Sequence, residues 1–297
     1  LNLNTHTLLK ILLGFIGGGN MSTAILRGIL KSEALPASKI WVSGPHLEHL
    51  KEWSDFGATV TSRNFEVYNK CDVIFLGVKP DKLIEAIKGI LYDAKYMECK
   101  NLHIERSILF VSMLAGVCID DLHKALEELS GIKSVIRIMP NTPMTVGAGA
   151  CIYTPDKTVS PGQCAILEDL IKGSALCEKV PEKLIDSLGT LTGCGPAYMY
   201  IVIEALADGA VKQGVPRAMA LRYAAQMVVG SGQMVLKSGK HPGLLKDEVC
   251  SPGGSTICGV AALERGKISL SLNSNRKNKN ISFFNHPKDQ RRLFEIM

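Results

Sequence analysis

Two stretches of this chain combine residue types that could hold an anion. The first is Gly17-Gly18-Gly19-Asn20-Met21-Ser22, which follows the apolar run of residues 11–16 and precedes Ala24, Ile25, Gly28, Ile29 and Leu30 at helical spacing. The second is Ser251-Pro252-Gly253-Gly254-Ser255-Thr256, ahead of Ile257, Val260, Ala261 and Leu263. Both read as a tight loop feeding a helix, and the first N–H groups of a helix have no partner within it. With the positive end of the helix dipole they attract phosphate or carboxylate. Strand, glycine turn and helix together make the first stretch a dinucleotide fingerprint. Gly17 permits the turn, Gly19 lets backbone approach a pyrophosphate, and Ser22 stands as the small third residue. The second stretch is suited to a substrate carboxylate, although a capped turn would look the same.

The elements that must position these loops alternate. Strands are expected at 11–16, 39–43, 58–61, 73–78, 108–111, 134–138, 148–153 and 175–178, with helices between them, including 119–129 and 163–172. This pattern predicts an α/β fold with a mostly parallel, doubly wound sheet. Loops at the carboxyl ends of such strands line the ligand crevice. That makes Gly77-Val78-Lys79-Pro80 and Met113-Leu114-Ala115 candidate cofactor contacts, and it makes Met139-Pro140-Asn141-Thr142-Pro143 a stiff loop at the same edge. The second strand ends in Gly44-Pro45-His46, where an NAD-selective fold would carry an acid. NADP is therefore favoured over NAD. His46 reads equally as a surface histidine or a phosphate contact.

After about residue 180 strand signals stop. A helical region begins at 181–188, Gly195-Pro196 is expected to open a new helix to about Gln213, and Pro216 the next, to about Ser238. Their apolar positions are rich in Ala and Gly, which suggests a core completed against another chain. The organisation expected is a dinucleotide-binding domain at 11–180, a helical substrate-binding and dimerisation domain at 181–265, and a divergent basic tail at 266–297 with the composition of a disordered segment. Residues 93–106 read as an irregular surface excursion.

Bulk properties exclude several classes. Of 297 residues, 46% are hydrophobic and 21% charged, enough apolar material for a sizeable core. The net charge is +6, but seven Lys or Arg against two acids lie in 266–297, so the body is almost neutral. Neither nucleic acid nor a membrane is an expected partner. None of the nine cysteines forms a Cys-x-x-Cys pair, and they read as reduced core residues, with no metal site expected. The expected location is cytoplasmic or mitochondrial; the chain begins with Leu, so an earlier targeting segment stays open.

With these pieces assembled, residues 13–265 resemble pyrroline-5-carboxylate reductase. The resemblance rests on Gly14 to Met21, Val78-Lys79-Pro80, Met139 to Pro143, Gly195-Pro196-Ala197-Tyr198, Glu204 to Gly209, and Lys246-Asp247 through Ser251–Thr256 to Leu263-Glu264. It implies a Rossmann-type domain followed by an all-α dimerisation domain, a homodimer or higher homo-oligomer, and NADPH or NADH as hydride donor to the C=N carbon of a small-molecule substrate. It places Ile16, Gly17, Gly18, Gly19, Asn20 and Met21 at the pyrophosphate. Gly44 and Asn64 fall at the adenosine end, and Gly77 to Pro80 with Met113 to Ala115 along the cofactor groove. Gly254, Ser255 and Thr256 receive the substrate carboxylate. The family's Thr-Gly-Leu-Ser-Gly-Ser-Gly-Pro is met here by Gly189-Thr190-Leu191-Thr192-Gly193-Cys194-Gly195-Pro196, so its threonine at the substrate nitrogen corresponds to Gly189. The nearest hydroxyl is Thr190, which with Thr256 is the catalytic candidate. Glu248 stands where relatives use Asn. The resemblance is expected to end near Arg265, and a catalytically impaired binding form is the alternative reading. A β-hydroxyacid dehydrogenase fits less well, because Gln213-Gly214-Val215-Pro216 follows Lys212 in place of that family's asparagine.

Overall fold

The computed structural model describes residues 10–96 and 107–268. Residues 97–106 of the expected excursion, and the tail from 269, lie outside the described residues; before them, helix continues to Tyr96. The chain forms two compact units that divide between Pro196 and Ala197.

The first unit is built on eight strands: β1 (Leu13–Ile16), β2 (Ile40–Ser43), β3 (Thr59–Thr61), β4 (Val73–Leu76), β5 (Ser107–Ser112), β6 (Ile132–Met139), β7 (Gly149–Pro155) and β8 (Ala175–Lys179). Their order is β3-β2-β1-β4-β5-β6-β7-β8. Every neighbouring pair is parallel except β6 with β7. The order reverses between β1 and β4, and a crevice opens at such a switch point beyond the carboxyl ends of the strands. The helices are α1 (Asn20–Lys31), α2 (Lys51–Asp55), α3 (Asn64–Lys70), α4 (Leu83–Tyr96), α5 (Ile119–Leu126), α6 (Pro161–Ile171) and the long α7 (Glu182–Lys212), which crosses the unit boundary.

The strands read as unbroken apolar runs because both faces of the sheet are covered. Side chains alternate between two cores. Leu13, Phe15, Val73, Phe75, Leu109, Val111, Ile136 and Ile138 join Ile25, Leu26 and Ile29 of α1 and Leu167, Leu170 and Ile171 of α6. Ile16, Ile74, Leu76, Ile108, Phe110 and Val135 face the other way and join Phe65 and Tyr68 of α3, Leu83, Ile87 and Ile90 of α4, and Leu122 and Leu126 of α5. Phe15 stacks on Phe75 and meets the edge of Trp53, both at 4.9 Å between ring centroids. At α6 the start is written locally: Ser160 and Gln163 form a capping box around Pro161.

The second unit contains the rest of α7, then α8 (Arg217–Ser238), α9 (Pro242–Val249) and α10 (Ser255–Arg265). Among its described residues, Ala207, Ala220 and Ala224 form a buried cluster, flanked by Ile203, Ala210, Val211 and Val215.

Pro196 does not open a helix. It lies inside the 31-residue α7. Proline deletes the N–H that would reach the carbonyl four residues earlier, which normally breaks a helix. Here that carbonyl belongs to Thr192 and accepts a hydrogen bond from Asn141 Nδ2 at 3.1 Å. A side chain from the β6 loop thus replaces the missing backbone donor, and the helix continues.

Candidate active site

The glycine loop is held by hydrogen bonds that extend the sheet past its strands. Gly17 N–H donates to Ser43 O at 2.9 Å, Gly77 N–H to Ile16 O at 2.8 Å, Gly44 N–H to Thr61 O at 3.1 Å, and Met113 N–H to Leu76 O at 3.2 Å. Gly17 takes φ +99°, a conformation that side-chain-bearing residues rarely adopt. The loops after β1, β4 and β5 converge. A Cβ added at Gly77 would lie 2.7 Å from Gly17 O and 3.0 Å from Met113 Cε, and would collide with Ser22 Oγ. Ser22 is buried and its hydroxyl donates to Gly17 O at 2.7 Å. It therefore ties the turn to the helix as well as being small, a role that its similarity in size to glycine concealed.

Gly19 is the N-cap of α1. Its side of the loop is open, with nothing within 4 Å of where a Cβ would stand, whereas a Cβ at Gly18 would meet Leu50, Val42 and Trp53. No side chain caps α1 and its first turn carries no acid. Asn20 is exposed and Met21 half-buried beside it. Uncapped N–H groups, open space and an absence of negative charge are what a pyrophosphate requires, so the residues present fit a dinucleotide.

Of the other cofactor candidates, Val78 is half-buried and Lys79 and Pro80 are exposed on the turn after β4. Leu114 is buried in the second core, so only its backbone is available, while Ala115 is exposed. At the β2 end, Ser43 Oγ donates to Asn64 Oδ1 at 2.8 Å and Asn64 Nδ2 donates to Ala86 O at 3.3 Å. That carboxamide braces β2 against α4, using one of its two N–H donors and leaving spare lone pairs on Oδ1. A cavity of about 370 Å³ beside it, between Ser62–Asn64 and the Lys88, Gly89, Tyr92 and Asp93 side of α4, shares only Asn64 with these candidates.

Met139 and Asn141 tie the β6 loop to α7. Gly189 is buried against Met139, where a Cβ would lie 2.8 Å from Met139 Cγ. A threonine there, as the resembling family has, would require Met139 to move. Thr190 Oγ1 donates to Asp186 O one turn back at 2.8 Å, and its oxygen keeps acceptor capacity. Arg137 of β6 is 2% exposed. Its guanidinium pairs with Asp186 at 2.7 Å and Glu182 at 3.5 Å, and Nε has no hydrogen-bond partner. Glu182 also accepts from Ile119 N–H at 2.9 Å. The sequence singled out no role for Arg137 and named Asn141 only as part of the stiff Met139–Pro143 loop; the position four residues before Pro196 was the available signal for the second.

In the second unit the turn Ser251–Gly254 closes through Gly254 N–H to Ser251 O at 3.0 Å, with Gly253 at φ +68°. Gly254 is the N-cap of α10 and no side chain caps the helix. Ser255 is exposed and Thr256 half-buried in its first turn. Their hydroxyls and the free N–H groups form a donor set for a carboxylate.

Two perturbed titrating groups adjoin these loops: the hydrogen bond to Glu85 raises Lys82, after the Gly77–Pro80 turn, and burial raises Cys118, after Met113–Ala115; the others lie on β6, β7 and α6. The hydrogen bond with Cys177, then burial, raises the Cys151 thiol. Burial, then Glu168, raises the Tyr153 phenol. Burial lowers Lys133. Among the described residues, no cluster of three or more His, Cys, Asp or Glu is placed to hold a metal. No helix described is long and apolar enough to cross a membrane.

Comparison with known proteins finds two family profiles along the chain. The family profile described as pyrroline-5-carboxylate reductase dimerisation matches residues 182–275. The profile described as NADP oxidoreductase coenzyme F420-dependent matches residues 12–97. The family match therefore runs past Arg265, where the resemblance had been expected to stop. A pyrroline-5-carboxylate reductase of Arabidopsis thaliana is 39% identical over 87% of this chain and 89% of its own length. One of Escherichia coli K12 is 40% identical over 85% and 89%. The NADP-bound crystal structure of Plasmodium falciparum pyrroline carboxylate reductase superposes with a TM-score of 0.73 at 30% identity, covering 88% of this chain and 92% of that one. A Coxiella burnetii pyrroline-5-carboxylate reductase gives 0.76 at 30% identity, over 87% and 92%. With that identity sustained across both regions, the chain belongs to the pyrroline-5-carboxylate reductase family.

Proposed function

We propose that this chain reduces 1-pyrroline-5-carboxylate to L-proline, the final step of proline biosynthesis, with NADPH as the preferred donor. The observation that carries the reading is the match to pyrroline-5-carboxylate reductases over 87% of the chain at 39% identity. The bound nicotinamide supplies a hydride. Everything else falls to the chain: to hold the dinucleotide, hold the substrate, and bring the ring carbon within about 3–3.5 Å of the donor. The uncapped start of α1, with Ile16 to Met21, takes the pyrophosphate. The turns at Gly77–Pro80 and Met113–Ala115 flank the groove, and Gly44 and Asn64 lie toward the adenosine. NADPH is preferred because Gly44-Pro45-His46 follows β2 with no acid of its own at the strand end, while the Glu48 carboxylate lies 3.4 Å from His46 Nδ1. Gly254, Ser255 and Thr256 receive the substrate carboxylate.

A protonated imine is already electrophilic, so its reduction needs no buried acid of raised pKa. The residues offered are consistent with that, being hydroxyls and backbone N–H groups. Thr190 and Thr256 are the candidates for contact at the imine nitrogen. The helical unit assembles a homo-oligomer. The test is Thr256→Ala, which should raise the KM for pyrroline-5-carboxylate by roughly tenfold while moving that for NADPH less than about twofold, since one donor to a charged group is lost. Equal rises would make Thr256 structural. Absence of NADPH oxidation by the wild-type chain would sink the reading itself.

A further inference from the structure

We propose that Asn141 is a positioning residue for this reaction, acting through Thr192 and Pro196 of α7. The proposal rests on the function proposed above. Asn141 is 8% exposed, and both ends of its carboxamide are used. Oδ1 accepts from Ala150 N–H at 2.8 Å, and Nδ2 donates to Thr192 O at 3.1 Å. The second bond is at the one carbonyl of this turn that Pro196 deprives of its helical donor. Asn is among the best N-cap residues, and Asn141 stands at the N-cap of the short 3₁₀ turn Thr142–Val146. Yet its side chain makes no cap bond there. Its carboxamide is directed out of its own element and into α7.

Two further contacts set what this bond holds. Gly189 sits against Met139, so the β6 loop meets α7 one turn before Thr192 as well. Thr190 and Thr192 both donate their hydroxyls four residues back, to Asp186 O and Leu188 O. Such back-bonding bends helices and weakens their ladder. The segment of α7 that carries Thr190 thus combines a proline, three glycines and two back-bonded threonines, and Asn141 holds it to a loop stiffened by Pro140 and Pro143. That loop leaves the carboxyl end of β6, at the edge where the loops of β1, β4 and β5 converge. Asn141 therefore sets the register of the α7 segment relative to the sheet edge without touching substrate or cofactor.

The test is a cycle of Asn141→Ala, Pro196→Ala and the double variant, read by kcat, by the KM for pyrroline-5-carboxylate, by the Kd for NADPH and by Tm. Alanine at 196 restores the backbone donor to Thr192 O and makes the Nδ2 donor dispensable, while the Oδ1 acceptor for Ala150 N–H is still needed. Asn141→Ala is expected to lower kcat by about tenfold, a misplacement effect, with the NADPH Kd within about twofold of wild type. In the Pro196→Ala background the same change should cost less than about threefold, and its loss of Tm should shrink in parallel. Asn141→Asp, which keeps the acceptor for Ala150 N–H and loses the donor, should behave like Asn141→Ala. Equal losses in both backgrounds, or wild-type behaviour of Asn141→Asp, would overturn the proposal. If the wild-type chain does not turn over pyrroline-5-carboxylate, the functional reading fails. The Tm coupling then still decides whether Asn141 acts through Pro196.

Discussion

The sheet unit and the helical unit solve the burial problem in opposite ways. In the first, large side chains such as Phe15, Phe75, Phe110, Trp53 and Tyr68 are almost wholly removed from water. In the second, the buried cluster among the described residues is three alanines, while Tyr200, Ile201, Tyr223, Met234, Leu236 and Leu263 are exposed. A buried large apolar side chain contributes roughly 1.5–3 kcal/mol and a methyl group about 0.8 kcal/mol. The first unit therefore holds itself together, whereas the second leaves large apolar side chains exposed among its described residues. Small residues along α7 and α8 let helices come close, and large ones stay on the surface of the chain. This is the physical content of a dimerisation segment.

The difference can be attacked from either side. The largest effect is expected at the stacked rings: Phe15→Ala should cost about 3–5 kcal/mol in urea unfolding, through lost transfer and a cavity under α1. A cost below about 1 kcal/mol would mean that this core is not close-packed. Next is Gly77→Ala. The added methyl collides with Ser22 Oγ and lies 2.7 Å from Gly17 O, so NADPH affinity should fall by at least about 100-fold, about 2.7 kcal/mol, by fluorescence titration. Retained affinity would show that the turn yields easily.

Asp186→Ala removes one of two carboxylates from buried Arg137 and leaves Glu182 in place. The expected loss is roughly 1–3 kcal/mol, less than stripping the charge of every partner. Smallest in monomer stability is Leu236→Glu, on a side chain 74% exposed. It should change the stability of the isolated chain by less than about 0.5 kcal/mol and lower the mass in solution, which light scattering reads directly. An unchanged mass would remove Leu236 from the interface and weaken the contrast between the units.

Much of this was legible in the chain. The glycine loop, the runs read at 73–78 and 108–111 and the Ser251–Thr256 turn are local patterns, although the first of these strands ends at Leu76. The alternation of strands and helices implied a parallel sheet, because a parallel pair needs a crossover between its strands. Pro196 was misread for the same reason that the others were read correctly. Local rules end a helix at proline, and the donor that rescues it comes from Asn141, far away in sequence. Ser22 was seen as small, but its bond to Gly17 O depends on how α1 meets the turn. Gly189 could be aligned to a threonine, yet the reason a side chain is difficult there is Met139.

The sequence by itself determined where the chain turns, which faces are apolar and which loops feed helices. Each of these follows from residue types within one or two turns of backbone. Only the tertiary structure decided which carbonyls lose their partners and which side chains replace them. Those pairings join residues such as Asn141 and Thr192, or Arg137 and Asp186, that become neighbours only after the sheet has formed.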